Sequence, residues 1–246
     1  MKIIVISLKS AVERRKSISR QLDATGLQYQ FLDARDGREG AKRFFKGYDD
    51  EQFLLQTGRQ AVPGEIGCYA SHVAAWQMCV ADDKPLVVLE DDAQIAANFV
   101  AALRQCEQFI EDCGFIRLQT EWKGRKKLVL RADDGFSLYR YSKFPHSAAG
   151  YVIMPRVAKV FCRESAVLSA PVDVFMKKFW EHKQPMYGLA PYPVDESVRS
   201  RSSIIGDRPK VRKGLGLRVR RQTMKAKWFM RRVSLSHKRG FYWAGN

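Results

Sequence analysis

The stretch LVVLEDD, residues 86–92, runs through four apolar residues and ends in three adjacent carboxylates, Glu90, Asp91 and Asp92. A run without polar alternation suits a strand covered on both faces, as in a parallel sheet lying between helices. Its charged end then falls at the carboxyl edge of the sheet, where open α/β sheets bind their ligands. Three neighbouring carboxylates repel one another unless a cation is close. Oxygen donors of this kind suit Mg²⁺ or Mn²⁺, either of which would bridge a diphosphate. The other reading is an acidic cap that stabilises the following helix through its dipole.

Outward from this strand the pattern is α/β. Upstream, Ile66, Tyr69, Ala70, Val73, Trp76, Gln77 and Val80 recur at three- and four-residue spacings, which predicts a helix over about 65–81 with one apolar stripe, ended by Pro85. Further back, IIVISL (3–8) is a second buried strand, 11–25 a polar helix ending near Gly26, and FLDARDG (31–37) a strand entering a turn, so the chain opens as a βαβ unit. Residues 38–62 are charged and aromatic without periodicity and read as a partly ordered insertion or lid. Downstream come a helix at about 95–112, a strand at 114–119, a charged turn at 121–127 and strands near 128–131 and 136–141. AGYVIMP (149–155) then reads as a strand, 156–165 as a helix, and 172–180 as a helix with Asp173 near its start.

The 246 residues carry 43 Lys and Arg against 26 Asp and Glu, a net charge of +17. Residues 207–246 hold thirteen of the basic side chains and one acidic residue, Asp207, so that +12 lies in the tail and only +5 in residues 1–206. The expected organisation is therefore a globular domain over 1–206, the catalytic domain if the chain is an enzyme, and a basic amphipathic tail over 207–246. In that tail Leu215, Val219, Ala226, Phe229 or Met230, and Val233 can share one helical face, with Trp228 and Phe241-Tyr242-Trp243 as aromatic anchors. Such a tail suits an anionic membrane surface. A rival class is a basic nucleic-acid- or membrane-binding module without catalysis. Nucleic acid is the weaker partner, because the domain itself is nearly balanced and its three clustered carboxylates would repel phosphate.

MKIIVISLKS is too short an apolar run for a signal peptide, and no stretch reaches the roughly 18–20 apolar residues of a membrane span. The five cysteines lack metal-site spacing and read as reduced core thiols of a cytoplasmic protein.

The segments in order are ISL followed by Glu13-Arg14-Arg15, then DARDG, PGEIGCYASHVAAW, LEDDA, AAGYVIMPRVA and PVD. Together, over about residues 3–204, they resemble glycosyltransferase family 25, which includes bacterial lipopolysaccharide and lipooligosaccharide galactosyltransferases. The resemblance implies a GT-A-like, Rossmann-related fold, a UDP-sugar donor, a divalent cation (Mn or Mg) and inversion at the anomeric carbon. It implies galactose as the sugar, with glucose the runner-up, and a glycolipid or oligosaccharide acceptor. An enzyme with that acceptor and this tail is expected to be cytoplasmic and peripheral on the inner face of the inner membrane.

Carried over by position, Glu90 and Asp92 are the implied metal ligands. Asp91 joins Ser7, Arg14, Asp33, Asp36 and Gly37 as donor-binding positions, and Glu65, Ser71 and His72 join them from GEIGCYASH. A lone histidine on a helix serves as readily as a structural hydrogen bonder, so His72 keeps both roles open. An inverting transfer needs one general base for the acceptor hydroxyl. Asp173 of PVD is the candidate, with a helix N-cap as its other role, and Asp195 and Glu196 are reserves.

Overall fold

The computed structural model describes residues 1–121, 124–196 and 214–238. The first half of the chain folds as β1 (Lys2–Ser7), α1 (Val12–Asp23), β2 (Gln30–Asp33), β3 (Gly47–Tyr48), α2 (Asp50–Thr57), α3 (Pro63–Asp82), β4 (Leu86–Glu90), β5 (Ala93–Ile95) and α4 (Phe99–Cys113). The second half continues with β6 (Phe115–Arg117), β7 (Arg125–Arg131), β8 (Ser137–Lys143), β9 (Gly150–Ile153), α5 (Pro155–Glu164), β10 (Val167–Leu168), α6 (Val172–Lys177), α7 (Phe179–His182), β11 (Tyr187–Ala190), β12 (Val194–Glu196) and α8 (Leu215–Lys238).

Eight strands form one mixed sheet in the order β2-β1-β4-β9-β6-β11-β8-β7. The apolar runs at 3–6 and 86–89 form the second and third strands of this order, inside its edge, where alternate side chains enter two different cores. Ile4, Ile6, Leu86 and Val88 pack with α3, α5, α6 and α7 on one face. Ile3, Val5, Val87 and Leu89 pack with α1 and α4 on the other. Burial on both faces is what removed the polar alternation from these segments.

β2, β1 and β4 run parallel, with Ser7 opposite Asp33 and Ile6 opposite Glu90, so three strands end at one edge. β9 runs antiparallel to β4, pairing Gly150 with Leu89. The direction of β9 brings the residues that lead into it, 146–149, to that same edge, where the Glu90 N–H donates to the Ala149 carbonyl at 2.9 Å.

Several expectations shift. Residues 38–62, expected as a partly ordered insertion or lid, form short helical turns, β3 and α2, and send Ala41, Phe45, Phe53 and Leu55 into the core. Asp49 caps α2 by accepting from the Gln52 N–H at 2.9 Å, Gly58 ends it in a left-handed conformation, and Phe53 is fully buried. The buried face of α3 includes Ser71, His72, Ala75 and Cys79, whereas Gln77 is exposed, so the stripe is rotated from the one its apolar pattern suggests. The helix expected at 172–180 divides into α6 and α7 at Lys178, whose φ of −84° and ψ of 48° leave the helical region. The helix expected from 95 begins at Phe99, because Ala93–Ile95 pair with Val194–Glu196. All five cysteines are free thiols; Cys79, Cys106 and Cys113 are buried, while Cys68 and Cys162 are partly exposed. No described helix is long and apolar enough to cross a membrane.

Candidate active site

Two lobes of one cleft open along the carboxyl edge of β1, β2 and β4. The first, about 690 Å³, is lined by Ser7, Arg14, Asp36, Gly37, Ser71, His72 and Asp91 among others. The second, about 580 Å³, is lined by Gln56, Thr57, Arg59, Glu65, His146, Asp173 and Lys177 among others. Cys68, Glu90 and Asp92 belong to both walls and mark where the lobes meet. Asp33 lines neither lobe; it sits at the end of β2 and pairs with Arg15 at 2.7 Å and with Lys9 at 3.3 Å. The Arg15 hydrogen bond holds its carboxyl below the usual range.

The three carboxylates after β4 separate into two roles. Asp91 turns back into the protein, accepting from Ser7 Oγ at 2.6 Å and pairing with Arg14 at 3.0 Å. Burial raises its pKa, and the Ser7 hydrogen bond and the Arg14 charge oppose that rise. It thereby ties β4 to the end of β1 and to α1. Glu90 and Asp92 are left in the wall common to both lobes.

Glu90 is positioned by a buried relay. Trp76 donates its indole N–H to the Tyr151 oxygen at 2.9 Å, and that phenol lies 2.8 Å from His72 Nδ1. The Glu90 carboxylate only accepts, so His72 carries its proton on Nε2, and Nδ1 takes the phenol proton of Tyr151. Nε2–H then donates to Glu90 Oε1 at 3.0 Å. His72 is fully buried, and its ring orients Glu90 from the wall of the first lobe. The structural hydrogen-bonding role expected for His72 is present in these two contacts.

The first lobe is shaped by close backbone approach. A Cβ on Gly37 would lie 1.7 Å from the Pro63 carbonyl oxygen, and one on Gly67 would lie 2.4 Å from that of Arg35. Only glycine at both positions lets the 34–38 loop lie on the start of α3. Ser71 fastens the loop by accepting from the Arg35 N–H at 2.8 Å while donating to Gly67 O at 2.6 Å. Asp36 caps the short turn that follows, and its hydrogen bonds with Arg38 lower its pKa to about 2.

Glu65 falls in the second lobe, not the first. It is buried, takes a two-pronged contact from Arg59 and accepts from the Val62 N–H at 3.3 Å, so it braces the entrance of α3. Asp173, the second residue of α6, accepts from His146 Nδ1 at 2.9 Å, and the Lys177 ammonium lies 3.4 Å from His146 Nε2. Burial pushes the Asp173 pKa up, but the His146 hydrogen bond and the charges of His146 and Lys177 outweigh it, and the net shift is downward. Asp173 is therefore a carboxylate at neutral pH. Its Oδ1 accepts from the neighbouring Val174 N–H at 2.8 Å, but the N-cap position of α6 is Pro171, so Asp173 is not the helix N-cap that was its other expected role.

Of the reserves, Asp195 accepts from Thr120 Oγ1 at 2.7 Å on β12, outside both lobes. The Glu196 side chain lies outside the described residues, as do Asp207 and Phe241-Tyr242-Trp243. Sequence reasoning missed Arg59, Cys68 and Lys177 as wall residues. Cys68 sits inside the GEIGCYASH segment, and its position four residues before His72 on a helix was the available signal.

The donor chemistry fits a hard divalent cation. Glu90 and Asp92 offer carboxylate oxygens at the shared wall. Cys68, His72 and Glu90 also have ligand atoms within 4.8 Å of one another. However, burial and the nearby Glu90, Asp173 and Asp92 raise the Cys68 pKa well above its ordinary value, and both His72 nitrogens are already engaged. A soft-metal thiolate site is thereby disfavoured against the oxygen pair.

A cleft at the carboxyl edge of an α/β sheet, with carboxylates at its waist, is where enzymes of this architecture bind their ligands. The sequence model of glycosyltransferase family 25 (LPS biosynthesis protein) matches residues 1–176, and the chain belongs to this family of glycosyltransferases. Among its relatives is the lacto-N-neotetraose biosynthesis glycosyltransferase LgtE of Neisseria meningitidis serogroup B, 30% identical over 207 residues, covering 76% of this chain and 71% of that protein. The lipooligosaccharide biosynthesis protein lic2B of Haemophilus influenzae is 27% identical over 222 residues, 80% of this chain and 79% of that protein. A glycosyltransferase 25 family member of Drosophila pseudoobscura pseudoobscura is 29% identical over 71% of this chain, which spans 29% of the insect protein's length.

Proposed function

We propose that this glycosyltransferase moves a hexose, galactose from UDP-galactose, onto a lipooligosaccharide core acceptor with inversion, using a divalent cation on a GT-A-like nucleotide-sugar fold. The observation that carries this is the two-lobed cleft with Glu90 and Asp92 at its waist. The names of the bacterial relatives support the acceptor class.

In this mechanism the first lobe takes the nucleotide, and Glu90 and Asp92 would hold the cation, Glu90 being oriented by His72. When bound, the cation offsets charge developing on the leaving diphosphate, so a second protein acid is not required. The acceptor enters the second lobe, where the Asp173 carboxylate takes the proton from the attacking hydroxyl. His146 holds that carboxylate through Nδ1–H, and Lys177 keeps it ionised. The glycolipid acceptor puts the reaction at a membrane, proposed as the cytoplasmic face of the inner membrane.

UDP release by the purified chain, screened over several UDP-sugars with and without Mn²⁺, tests the proposal. Galactose-dependent, metal-dependent release that Asp92→Asn abolishes is the expected result. Metal-dependent transfer that survives Asp92→Asn would refute the metal assignment. No release from any donor, together with binding of DNA or RNA at about 150 mM salt, would favour the nucleic-acid module instead.

A further inference from the structure

Helix α8 carries apolar residues on two opposite sides, and only one of them packs against the protein. Leu217, Arg221, Met224, Trp228 and Leu235 recur at spacings of three, four and seven residues and are half-buried. The Trp228 ring lies 5.9 Å from that of Trp180 and 5.7 Å from the Lys178 ammonium. Arg221 donates to the carbonyls of Leu54 at 2.9 Å and Leu55 at 2.8 Å, and Arg220 pairs with Glu51 at 2.6 Å. The helix is thus fastened to α2 and α7 in a fixed orientation.

The opposite side points away from the protein. Leu215, Val219, Phe229 and Met230 are 79%, 57%, 57% and 61% exposed. At 3.6 residues per turn, Leu215, Val219, Ala226 and Met230 fall within about 60° of one another, with Phe229 at the margin and the half-buried Val233 continuing the line. Arg218 and Lys225 flank this stripe on one side, and Arg220, Lys227 and Arg231 on the other. No Asp or Glu occurs between 215 and 238.

We infer that this outward stripe of α8 is a docking surface for an anionic lipid bilayer, on which the helix lies flat. The charge and the apolar pattern complement that one occupant together. The stripe enters the boundary between headgroups and acyl chains while the two basic flanks meet lipid phosphates. A nucleic acid would satisfy the flanks and leave the apolar row facing phosphate and water.

The attachment also sets what the bilayer faces. Arg221 holds Leu54 and Leu55, and the next two residues, Gln56 and Thr57, line the second lobe. Lys225 is close enough to contribute to the lowered pKa of Lys177, in the wall of the same lobe, where burial is the main cause. A bilayer against α8 therefore lies beside the lobe assigned above to the acceptor. This last step rests on the proposed transfer, whereas the docking surface itself does not.

The test is co-flotation of the full chain with vesicles of phosphatidylethanolamine and phosphatidylglycerol, or of phosphatidylcholine alone, with neither donor nor acceptor present. The wild type should float with the anionic vesicles only. Val219→Glu/Met230→Glu should weaken that binding more than tenfold and Val219→Ser/Met230→Ser by less, with circular dichroism and UDP release on a soluble acceptor unchanged. Undiminished flotation of the double Glu variant, or equal wild-type flotation with phosphatidylcholine, overturns the proposal. So does a concentration-dependent dimer, or RNA binding, that the same substitutions abolish in place of flotation. Because the vesicles contain no acceptor, failure to float is distinguishable from failure to transfer sugar.

Discussion

Replacing Tyr151 by Phe removes one oxygen from the centre of the relay that positions Glu90. That oxygen is the partner of two groups, Trp76 Nε1–H at 2.9 Å and His72 Nδ1 at 2.8 Å. Tyr151, Trp76 and His72 are 1%, 0% and 0% exposed, so water cannot readily replace the phenol. A buried polar group left without a partner costs about 1–3 kcal/mol, and two such groups give a loss of about 2–5 kcal/mol after allowing for the removed hydroxyl's own desolvation. Urea unfolding followed by far-UV circular dichroism would read this as a lower midpoint at unchanged slope. UDP release by the folded enzyme should fall only a few-fold, since His72 Nε2 still reaches Glu90. A stability loss below about 0.5 kcal/mol would refute the shared-partner assignment. A hundredfold loss of turnover at unchanged stability would instead make Tyr151 part of the chemistry.

Asp173→Asn should keep donor KM and lose about 10²–10⁴-fold in kcat, the range for a missing general base; His146→Ala should lose much less, and equal losses in the two variants would transfer the base role to His146. Gly37→Ala places a methyl against the immovable Pro63 carbonyl, so the 34–38 loop must lift from α3; donor KM should rise more than tenfold, and an unchanged KM would show that this loop does not shape the donor lobe. His182 is buried, with Nε2 3.0 Å from the Met176 carbonyl and Nδ1 accepting from the Gln184 N–H, and burial pushes its pKa down to about 4. A depressed histidine pKa favours the neutral ring in the folded state, so its contribution is full above about pH 6.5 and is lost as pH falls towards 4, by about 3 kcal/mol. The stability difference between wild type and His182→Gln should shrink across that window, and a constant difference from pH 7 to 4 would contradict the assignment.

Much of the framework was legible because its signals are local. Strands at 3–8 and 86–90 announce themselves as unbroken apolar runs, and α3 by its spacing. Local pattern failed where packing overrode it. Gln77 sits on the apparent apolar stripe yet faces solvent, because His72 and Ser71 are drawn inward by Tyr151 and by the Arg35 backbone. The 38–62 segment looked irregular because its order comes from isolated caps at Asp49 and Gly58 and from single aromatics entering a distant core, none of which is periodic. Arg59 and Lys177 carried no motif, and only the fold brings them around Asp173.

By itself the sequence determined that two buried strands exist, that one ends in carboxylates, and that most of the excess positive charge lies in the last forty residues. Those properties follow from side-chain period and composition, which are written within a few turns of chain. The tertiary structure decided how the carboxylates divide between structure and site, since Asp91 is spent on Ser7 and Arg14 while Glu90 and Asp92 remain at the waist of the cleft. It also decided that β9 runs antiparallel, which carries residues 146–149 to the edge where Glu90 ends, and that α8 docks through Trp228 and leaves its second apolar stripe outside. Strand direction and the choice of helix face depend on pairing between segments far apart in the chain. A neighbourhood of residues carries no signal of that pairing until the whole core has formed.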